Sequence, residues 1–206
     1  MKQKNGSSQW LKGLMLGAIA WAGAVAFAGN GLRLGEPVYG GSGCNPGTAS
    51  VVLSPEETSL TILFNDFVVE AGGVNSNIAR KNCDIVLPIT IPQGYSYSIV
   101  EVDYRGYVFL PAGASADFTA SYFFADSPRQ VSSRTSFRGA TDRDYVISNR
   151  LGVEAIVWSR CGVDTNMRIK ATMQTRSNRW GDETLATVDS VDISSGIIYQ
   201  LQWRRC

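Results

Sequence analysis

Apolar and polar residues alternate along most of the chain beyond position 44, which is the pattern of β-strands with one face in a core. In residues 166–176, Met and Ile alternate with Arg, Lys and Gln. In residues 197–205, Tyr199, Leu201 and Trp203 alternate with polar neighbours. No segment keeps the 3.6-residue period of an amphipathic helix. The pattern therefore predicts an all-β protein.

Segments with this alternation follow one another at short spacing, separated by Gly, Pro, Asn, Asp and Ser. The predicted strands are 59–70, 83–91, 95–110 (one long strand or two short ones), 117–125, 130–138, 143–149, 153–160, 166–176, 184–193 and 197–205. So many short strands must pack as two layers or close into a barrel. We predict an antiparallel β-sandwich, jelly-roll-like, of about ten strands.

Two local features refine this prediction near the start of the strands. Val51–Leu53 is a short strand candidate, and Ser54–Glu57 resembles a helix start. Because alternating β-branched residues follow, we interpret Ser54–Glu57 as a hairpin turn. In the strand 59–70 the apolar parity changes at Asn65–Asp66, where we expect a β-bulge.

The first residues predict an export signal rather than part of the fold. Lys2, Lys4 and Lys12 precede an apolar run that ends in Ala26-Phe27-Ala28. The run is shorter than the roughly 20 residues that span a bilayer, and small residues at its end suit a signal peptidase. We predict a signal peptide over 1–28, with an uncleaved anchor as the alternative. A flexible Gly-rich lead-in over 29–43 and a single domain over 44–206 follow, with no membrane span after cleavage.

The balance of charge argues against nucleic-acid binding. The chain has 19 Lys and Arg against 18 Asp and Glu, and removing the three signal-peptide lysines leaves the mature part mildly acidic. Nucleic-acid binding relies on clustered positive charge. The local basic cluster of Arg168, Lys170 and Arg176, with Arg179 nearby, could attract an acidic polysaccharide. We interpret it instead as a solvated sheet face balanced by acids from neighbouring strands.

The Cys and His counts restrict the chemistry. The chain has no His, which excludes Ser-His-Asp and Cys-His catalysis and imidazole metal sites. Its four cysteines, in an exported protein, predict two disulfides, and three connectivities are possible. We favour Cys44 to Cys83 and Cys161 to Cys206, which closes two loops of similar size. A four-Cys zinc site needs ligands at much closer spacing.

Several segments, taken together and in order, resemble a known family. They are Gly43-Cys44, Ala49–Val51, Leu53–Pro55, Phe64–Phe67, Arg80–Cys83, Asp103–Tyr107, Trp158–Gly162 and the ending Leu201–Cys206. This set is similar to a family of small secreted proteins known as a domain of unknown function, the family numbered 4360. The resemblance covers about Gly43 to Cys206. It implies a secreted, disulfide-bonded single domain with four framework cysteines, and it brings no activity, cofactor or catalytic residues.

Aromatic residues provide the candidate ligand-binding site, because sugar rings stack on exposed Trp and Tyr. Trp158 and Trp203 fall on apolar-alternating segments and are expected in the core. Trp180 lies in a turn-rich polar segment beside Arg179, where an exposed indole is costly unless it docks on the domain or on a ligand. Tyr95 and Tyr97, at a strand start, could join it in a platform or cap the core.

Carboxylates offer two further candidates, both weaker. The acids are Asp103, Asp142, Asp144, Asp182, Glu183, Asp189 and Asp192. General acid/base work on glycosides would need two of them at a defined distance, which sequence spacing does not select. A structural Ca²⁺ could use Asp142–Asp144 or Asp182–Glu183, yet neither completes a known loop pattern. We expect no catalytic residues, no metal and no cofactor.

The sequence therefore favours a secreted, non-catalytic extracellular or cell-surface module in a matrix, envelope or adhesion role. The first alternative is a carbohydrate-binding module with an aromatic platform near Trp180. The second is an enzyme acting on polysaccharide. The expected partners are an extracellular polysaccharide or a cell-surface protein.

Overall fold

The computed structural model describes residues 31–127, 129–188 and 196–206, so the predicted signal peptide lies outside the described residues. The described chain forms thirteen strands: β1 Arg33–Leu34, β2 Val38–Gly40, β3 Ala49–Leu53, β4 Ser59–Phe64, β5 Val68–Ala71, β6 Ile78–Thr90, β7 Tyr95–Leu110, β8 Ser115–Phe124, β9 Gln130–Arg138, β10 Thr141–Arg150, β11 Thr165–Arg176, β12 Thr184–Thr187 and β13 Ile197–Arg205. A short 3-10 helix, Val153–Ala155, lies between β10 and β11.

The strands form two antiparallel sheets. In the first sheet the order is β1-β6-β11-β8-β9, and β2 also pairs with β6. In the second sheet the order is β3-β4-β13-β7-β12-β5, and β10 pairs with the other edge of β7. The predicted all-β antiparallel sandwich with two disulfides is confirmed. Period-2 alternation produces it, because each strand turns its apolar side chains toward the other sheet.

The core lies between the two sheets and is rich in aromatic residues. β11 shows the alternation most regularly, since its odd positions from Thr165 to Thr175 are buried and its even positions face outward. Edge-to-face ring pairs connect the sheets, including Tyr122 with Tyr199 at 5.6 Å between centroids and Tyr104 with Phe118 at 5.1 Å. Such pairs are stabilising beyond the area that they bury.

The segment predicted as one strand over 59–70 is two strands. β4 pairs with β3 and β13, whereas β5 pairs with β12. The change of parity at Asn65–Asp66 therefore marks the end of a strand rather than a bulge. The hairpin turn at Ser54–Glu57 is confirmed, since Ser54 Oγ accepts hydrogen bonds from the amides of Thr58 and Ser59 at 3.1 Å.

The strand predicted over 153–160 is wrong. β10 pairs with β7 as far as Glu101, and the following segment bends away through the 3-10 helix. It returns to β7 at one isolated bridge between Ser98 and Trp158. Of the strand predicted over 184–193, β12 forms residues 184–187, and residues 189–193 lie outside the described part of the chain.

The lead-in predicted to be flexible over 29–43 instead contains β1 and β2, both paired with β6. The glycines of this segment let its backbone approach β6 closely, and they do not make the segment flexible. A Cβ on Gly35 would lie 2.8 Å from the side chain of Pro88, and one on Gly41 would overlap the carbonyl of Asn82. Leu32 is buried, and its amide donates to the Glu57 carboxylate at 3.0 Å. The ordered domain therefore includes residues before Cys44.

The cysteines pair as favoured, Cys44 with Cys83 and Cys161 with Cys206. The first bridge is buried and attaches the segment after β2 to β6. The second is exposed and attaches the last residue of the chain to the segment before β11. Each bridge therefore fixes a stretch that lies outside a long strand.

Candidate functional site

Trp180 is the most exposed aromatic side chain among the described residues. It lies in the segment Ser177–Glu183 between β11 and β12, and 65% of it is exposed. The Arg179 guanidinium carbon lies 4.2 Å from the centre of the indole ring. This cation–π contact covers one face of the ring and holds a positive charge beside it. We call Ser177–Glu183 the tryptophan loop.

Asn178 organises the tryptophan loop from inside. This side chain is 7% exposed. Its Oδ1 accepts from the amides of Trp180, at 3.1 Å, and Asp182, at 3.2 Å. Its Nδ2 donates to Asp182 Oδ2 at 2.8 Å and to the carbonyl of Ala112, in the loop between β7 and β8, at 2.9 Å. An Asn side chain forms such local turns readily because it resembles a peptide group.

A second loop, between β5 and β6, supports the tryptophan loop from the side. The Gly73 amide donates to the carbonyl of Gly181 at 2.7 Å, and the Ser177 amide donates to that of Asn77 at 2.9 Å. Gly72 adopts φ +83°, and a Cβ there would overlap the Asp182 carbonyl. Three loops thus fix the position of Trp180 without using its indole ring.

The surface beside the tryptophan loop has an apolar component. Val74 is 99% exposed, and Phe109 and Ile78 are 40% and 44% exposed. A cavity of about 320 Å³ lies there, lined by Val74 and Phe109 together with Glu70, Ala71, Asn75 and Glu183–Leu185. This end of the sandwich therefore combines an exposed indole with a shallow, partly apolar depression.

Tyr95 and Tyr97 are not brought together with Trp180. They begin β7, whereas the tryptophan loop contacts residues beyond the end of that strand. A strand of 16 residues spans roughly 50 Å. Tyr97 is 1% exposed, and burial raises the pKa of its phenol well above the ordinary value. Tyr95 is half-buried, 6.4 Å from Trp203 between ring centroids.

The other two tryptophans of the described residues, Trp158 and Trp203, lie at the Tyr95 end and are half-buried. Trp203 packs against the core, as expected, and its Nε1 donates to the Glu57 carbonyl at 3.0 Å. Trp158 instead lies beneath Arg204, whose guanidinium carbon is 4.2 Å from the ring centre. An alternating pattern suggested a core position for Trp158, but its segment forms only one bridge with β7.

Two of the candidate carboxylates make structural contacts. Asp182 accepts from Asn178, and Asp142 accepts from the Tyr107 hydroxyl at 2.6 Å. That hydrogen bond is the main cause of a raised Tyr107 pKa. Among the described residues, no group of three or more Cys, Asp or Glu could hold a metal ion. Asp189 and Asp192 lie outside the described residues.

Comparison with known proteins places the chain in a family. The family model described as a domain of unknown function, DUF4360, matches residues 30–206. The chain belongs to this family. An "Uncharacterized secreted protein" of Arthroderma benhamiae is 34% identical over 169 residues, which are 82% of this chain and 69% of the relative. The predicted family and secretion are confirmed, so this DUF4360 protein is a secreted protein.

A solved structure, that of TmCBM61 in complex with beta-1,4-galactotriose, is similar at a lower level. Its sequence identity is 11%, the match covers 82% of this chain and 88% of that chain, and the TM-score is 0.28. In the part of this DUF4360 chain that the structure describes, no helix has the length and apolar character required to cross a bilayer.

Proposed function

We propose that this DUF4360 protein is a non-catalytic extracellular module that binds a saccharide against Trp180. The observation that carries the proposal is an exposed indole on a loop whose backbone is held by hydrogen bonds. Three loops hold the backbone around it through Asn178, Gly181 and Ser177. A large aromatic side chain exposed to water costs free energy unless a ligand covers it. A loop whose backbone is already fixed lowers the entropy cost of binding.

The chemistry around Trp180 suits a sugar. An indole offers an apolar face to the C–H groups of a pyranose ring, and its edge carries an N–H donor. Arg179 covers one face of the ring, so the ligand would stack on the other. The Arg179 guanidinium offers several hydrogen-bond donors for hydroxyl oxygens. The loop thus combines a stacking surface with directional polar groups, as small-ligand sites generally do.

The described acids support a binding role rather than catalysis. Glycoside hydrolysis uses two carboxyl groups across a scissile bond, one of which must donate a proton. Within the tryptophan loop, Asp182 is held by Asn178, and Glu183 lies over Gly73.

Glycan-array binding of the mature, oxidised domain tests the proposal. The variants are Trp180→Ala and the matched control Trp158→Ala, which removes an indole with its own Arg contact at the far end of the sandwich. We expect specific binding that is reduced at least tenfold in Trp180→Ala and retained in Trp158→Ala. Thermal midpoints of both variants check that they fold. Absence of binding to every glycan, or equal binding by Trp180→Ala, would refute the saccharide site.

A further inference from the structure

The outer face of the first sheet carries an excess of positive charge. Its four long strands β6, β11, β8 and β9 turn alternate side chains away from the core. Among those outward residues, six are cationic and two are acidic. The cations are Arg80, Arg134, Arg138, Arg168, Lys170 and Arg176, and the acids are Asp84 and Asp117. We call this surface the basic face.

The neighbouring strands supply fewer acids than the sequence led us to expect, since Asp84, opposite Lys170, is the one acid that lies opposite a cation of β11 in the described sheet. Across β11, Gln174 lies opposite Arg80, and Arg176 lies opposite Ser115. Across β8, Thr119 and Ser115 lie opposite Arg134 and Arg138. The register thus adds arginines to the cluster on β11. Only the pairing between strands reveals the full set of cations on this face, because each strand by itself carries few charges.

Each of the two acids of the basic face forms an ion pair with one cation. Lys170 Nζ lies 3.7 Å from Asp84 Oδ1, and Arg134 Nη2 lies 3.3 Å from Asp117 Oδ1. Within the described ranges, Arg80, Arg168 and Arg176 are exposed and form no ion pair. An exposed guanidinium keeps its full charge and its five donors available for a bidentate partner.

The outer face of the second sheet has the opposite balance. Its outward acids outnumber its outward arginines by five to three. The acids are Glu70, Glu101, Asp103, Asp142 and Asp144, and the arginines are Arg105, Arg150 and Arg204. The sandwich therefore separates charge between its two faces, although the mature chain is close to neutral. A polyanion approaching the protein is steered to one face and repelled from the other.

We propose that the basic face binds an acidic polysaccharide, a chain of sugars that carry carboxylate or sulfate groups. A shallow depression of about 240 Å³ crosses the strands there, lined by Arg80, Asp117, Thr119, Arg134, Thr172 and Gln174. Arg can bind carboxylate and sulfate oxygens in pairs, while Thr, Gln and Asp suit sugar hydroxyls. This mixture of charged and neutral hydrogen-bonding groups favours an anionic sugar over a phosphate backbone alone.

The basic face leads to the tryptophan loop. β11 carries Arg168, Lys170 and Arg176 along one side and then continues into Arg179 and Trp180. One extended chain could therefore contact both surfaces. This inference rests on the proposed function, because it names the charge of the saccharide that the protein would bind. The residues of the basic face are separate from Trp180 and can be changed independently of it.

The test compares polygalacturonate with its fully methyl-esterified, neutral form in calorimetric titrations at two salt concentrations. The variant is Arg168→Gln/Arg176→Gln, and the control is Arg143→Gln/Arg150→Gln on β10 of the second sheet, with the same loss of charge. We expect the basic-face variant to bind the acidic polymer at least tenfold more weakly, with a salt dependence smaller by about two ions. The control should bind like the unchanged protein.

The outcomes separate this inference from the proposed function. Equal affinity for both polymers, or unchanged binding in the basic-face variant, would overturn the inference. Stronger binding to duplex DNA or anionic lipid vesicles than to polygalacturonate would overturn it too. Acidic-polymer binding that Trp180→Ala leaves intact would support the basic face while contradicting the site at Trp180. Equal binding of both polymers that is lost in Trp180→Ala and retained in the basic-face variant would support the site at Trp180 and contradict the basic face.

Discussion

Asn178 Nδ2 donates a 2.9 Å hydrogen bond to the carbonyl oxygen of Ala112 and so ties the tryptophan loop to the loop between β7 and β8. The two residues are 66 positions apart, and the bond forms only because β7 and β11 end at the same end of the sandwich. The exposed position of Trp180 therefore depends on a side-chain amide that is itself largely buried.

Replacement of Asn178 should weaken binding even though Trp180 is retained. Asn178→Ala leaves the Ala112 carbonyl, the Asp182 carboxylate and two amides without their partner. Each buried polar group left unpaired costs about 1–3 kcal/mol, so we expect a loss of stability of this order and a released loop. Denaturant unfolding and saccharide titration measure the two effects. Asn166→Ala, at an exposed position of β11, is the control.

The two disulfides should be reduced in a fixed order. Cys161 and Cys206 are exposed, whereas Cys44 and Cys83 are buried. Because reduction needs attack by an external thiolate on a sulfur, the accessible bridge should open first as the reductant increases. Alkylation followed by peptide mass spectrometry identifies the order. Simultaneous reduction of both bridges would contradict the expectation.

Loss of either bridge should also destabilise the domain. The loops span 39 and 45 residues of separation, for which the chain-entropy model gives about 4 kcal/mol each. The double variant Cys161→Ala/Cys206→Ala should lower the free energy of unfolding by up to this amount while leaving the sandwich folded. An unchanged melting temperature after complete reduction of the protein would remove the argument that these bridges stabilise it.

Alkaline pH should destabilise the domain through its buried tyrosines. Burial raises the pKa values of Tyr97, Tyr104, Tyr122, Tyr145 and Tyr199. In the unfolded chain these phenols ionise near pH 10, so above that pH the folded state holds more protons than the unfolded state. Stability should be complete below about pH 10 and fall as the pH rises further.

Absorbance at 295 nm measures this tyrosine ionisation directly. In the folded protein, the five buried phenols should titrate only when the protein unfolds. In denaturant all eight tyrosines should titrate together near pH 10. A native titration identical to the denatured one would show that the core phenols are accessible.

Two glycines of positive φ should respond differently to replacement by Ala. Gly41, at φ +106°, has no room for a Cβ because the Asn82 carbonyl lies there. Gly47, at φ +85°, has nothing within 4 Å of the corresponding point. Gly47→Ala should cost about 1–2 kcal/mol for the left-handed backbone alone, and Gly41→Ala should cost more. Equal losses in denaturant unfolding would show that the overlap with Asn82 is relieved without cost.

Several strands are evident from the sequence because alternation is a local property. The bounds of 95–110, 130–138 and 197–205 are those of β7, β9 and β13. Where alternation was misleading, neighbouring strands decided the outcome. Residues 153–160 alternate, yet they run past the edge of β7 without pairing regularly. In the lead-in, Gly content indicated flexibility, although the glycines there permit contact with β6.

The sequence by itself determined that this protein is an exported, disulfide-bonded, all-β domain, since export signals, Cys pairing and period-2 alternation depend on nearby residues and composition. It also singled out Trp180 and Arg179, because an indole in a polar turn is unusual. Only the tertiary structure decided that Tyr95 and Tyr97 lie far from Trp180 and that Arg80, Arg134 and Arg138 join Arg168 and Arg176 on one face. Strand order and register bring residues distant in sequence together, and no local pattern encodes them.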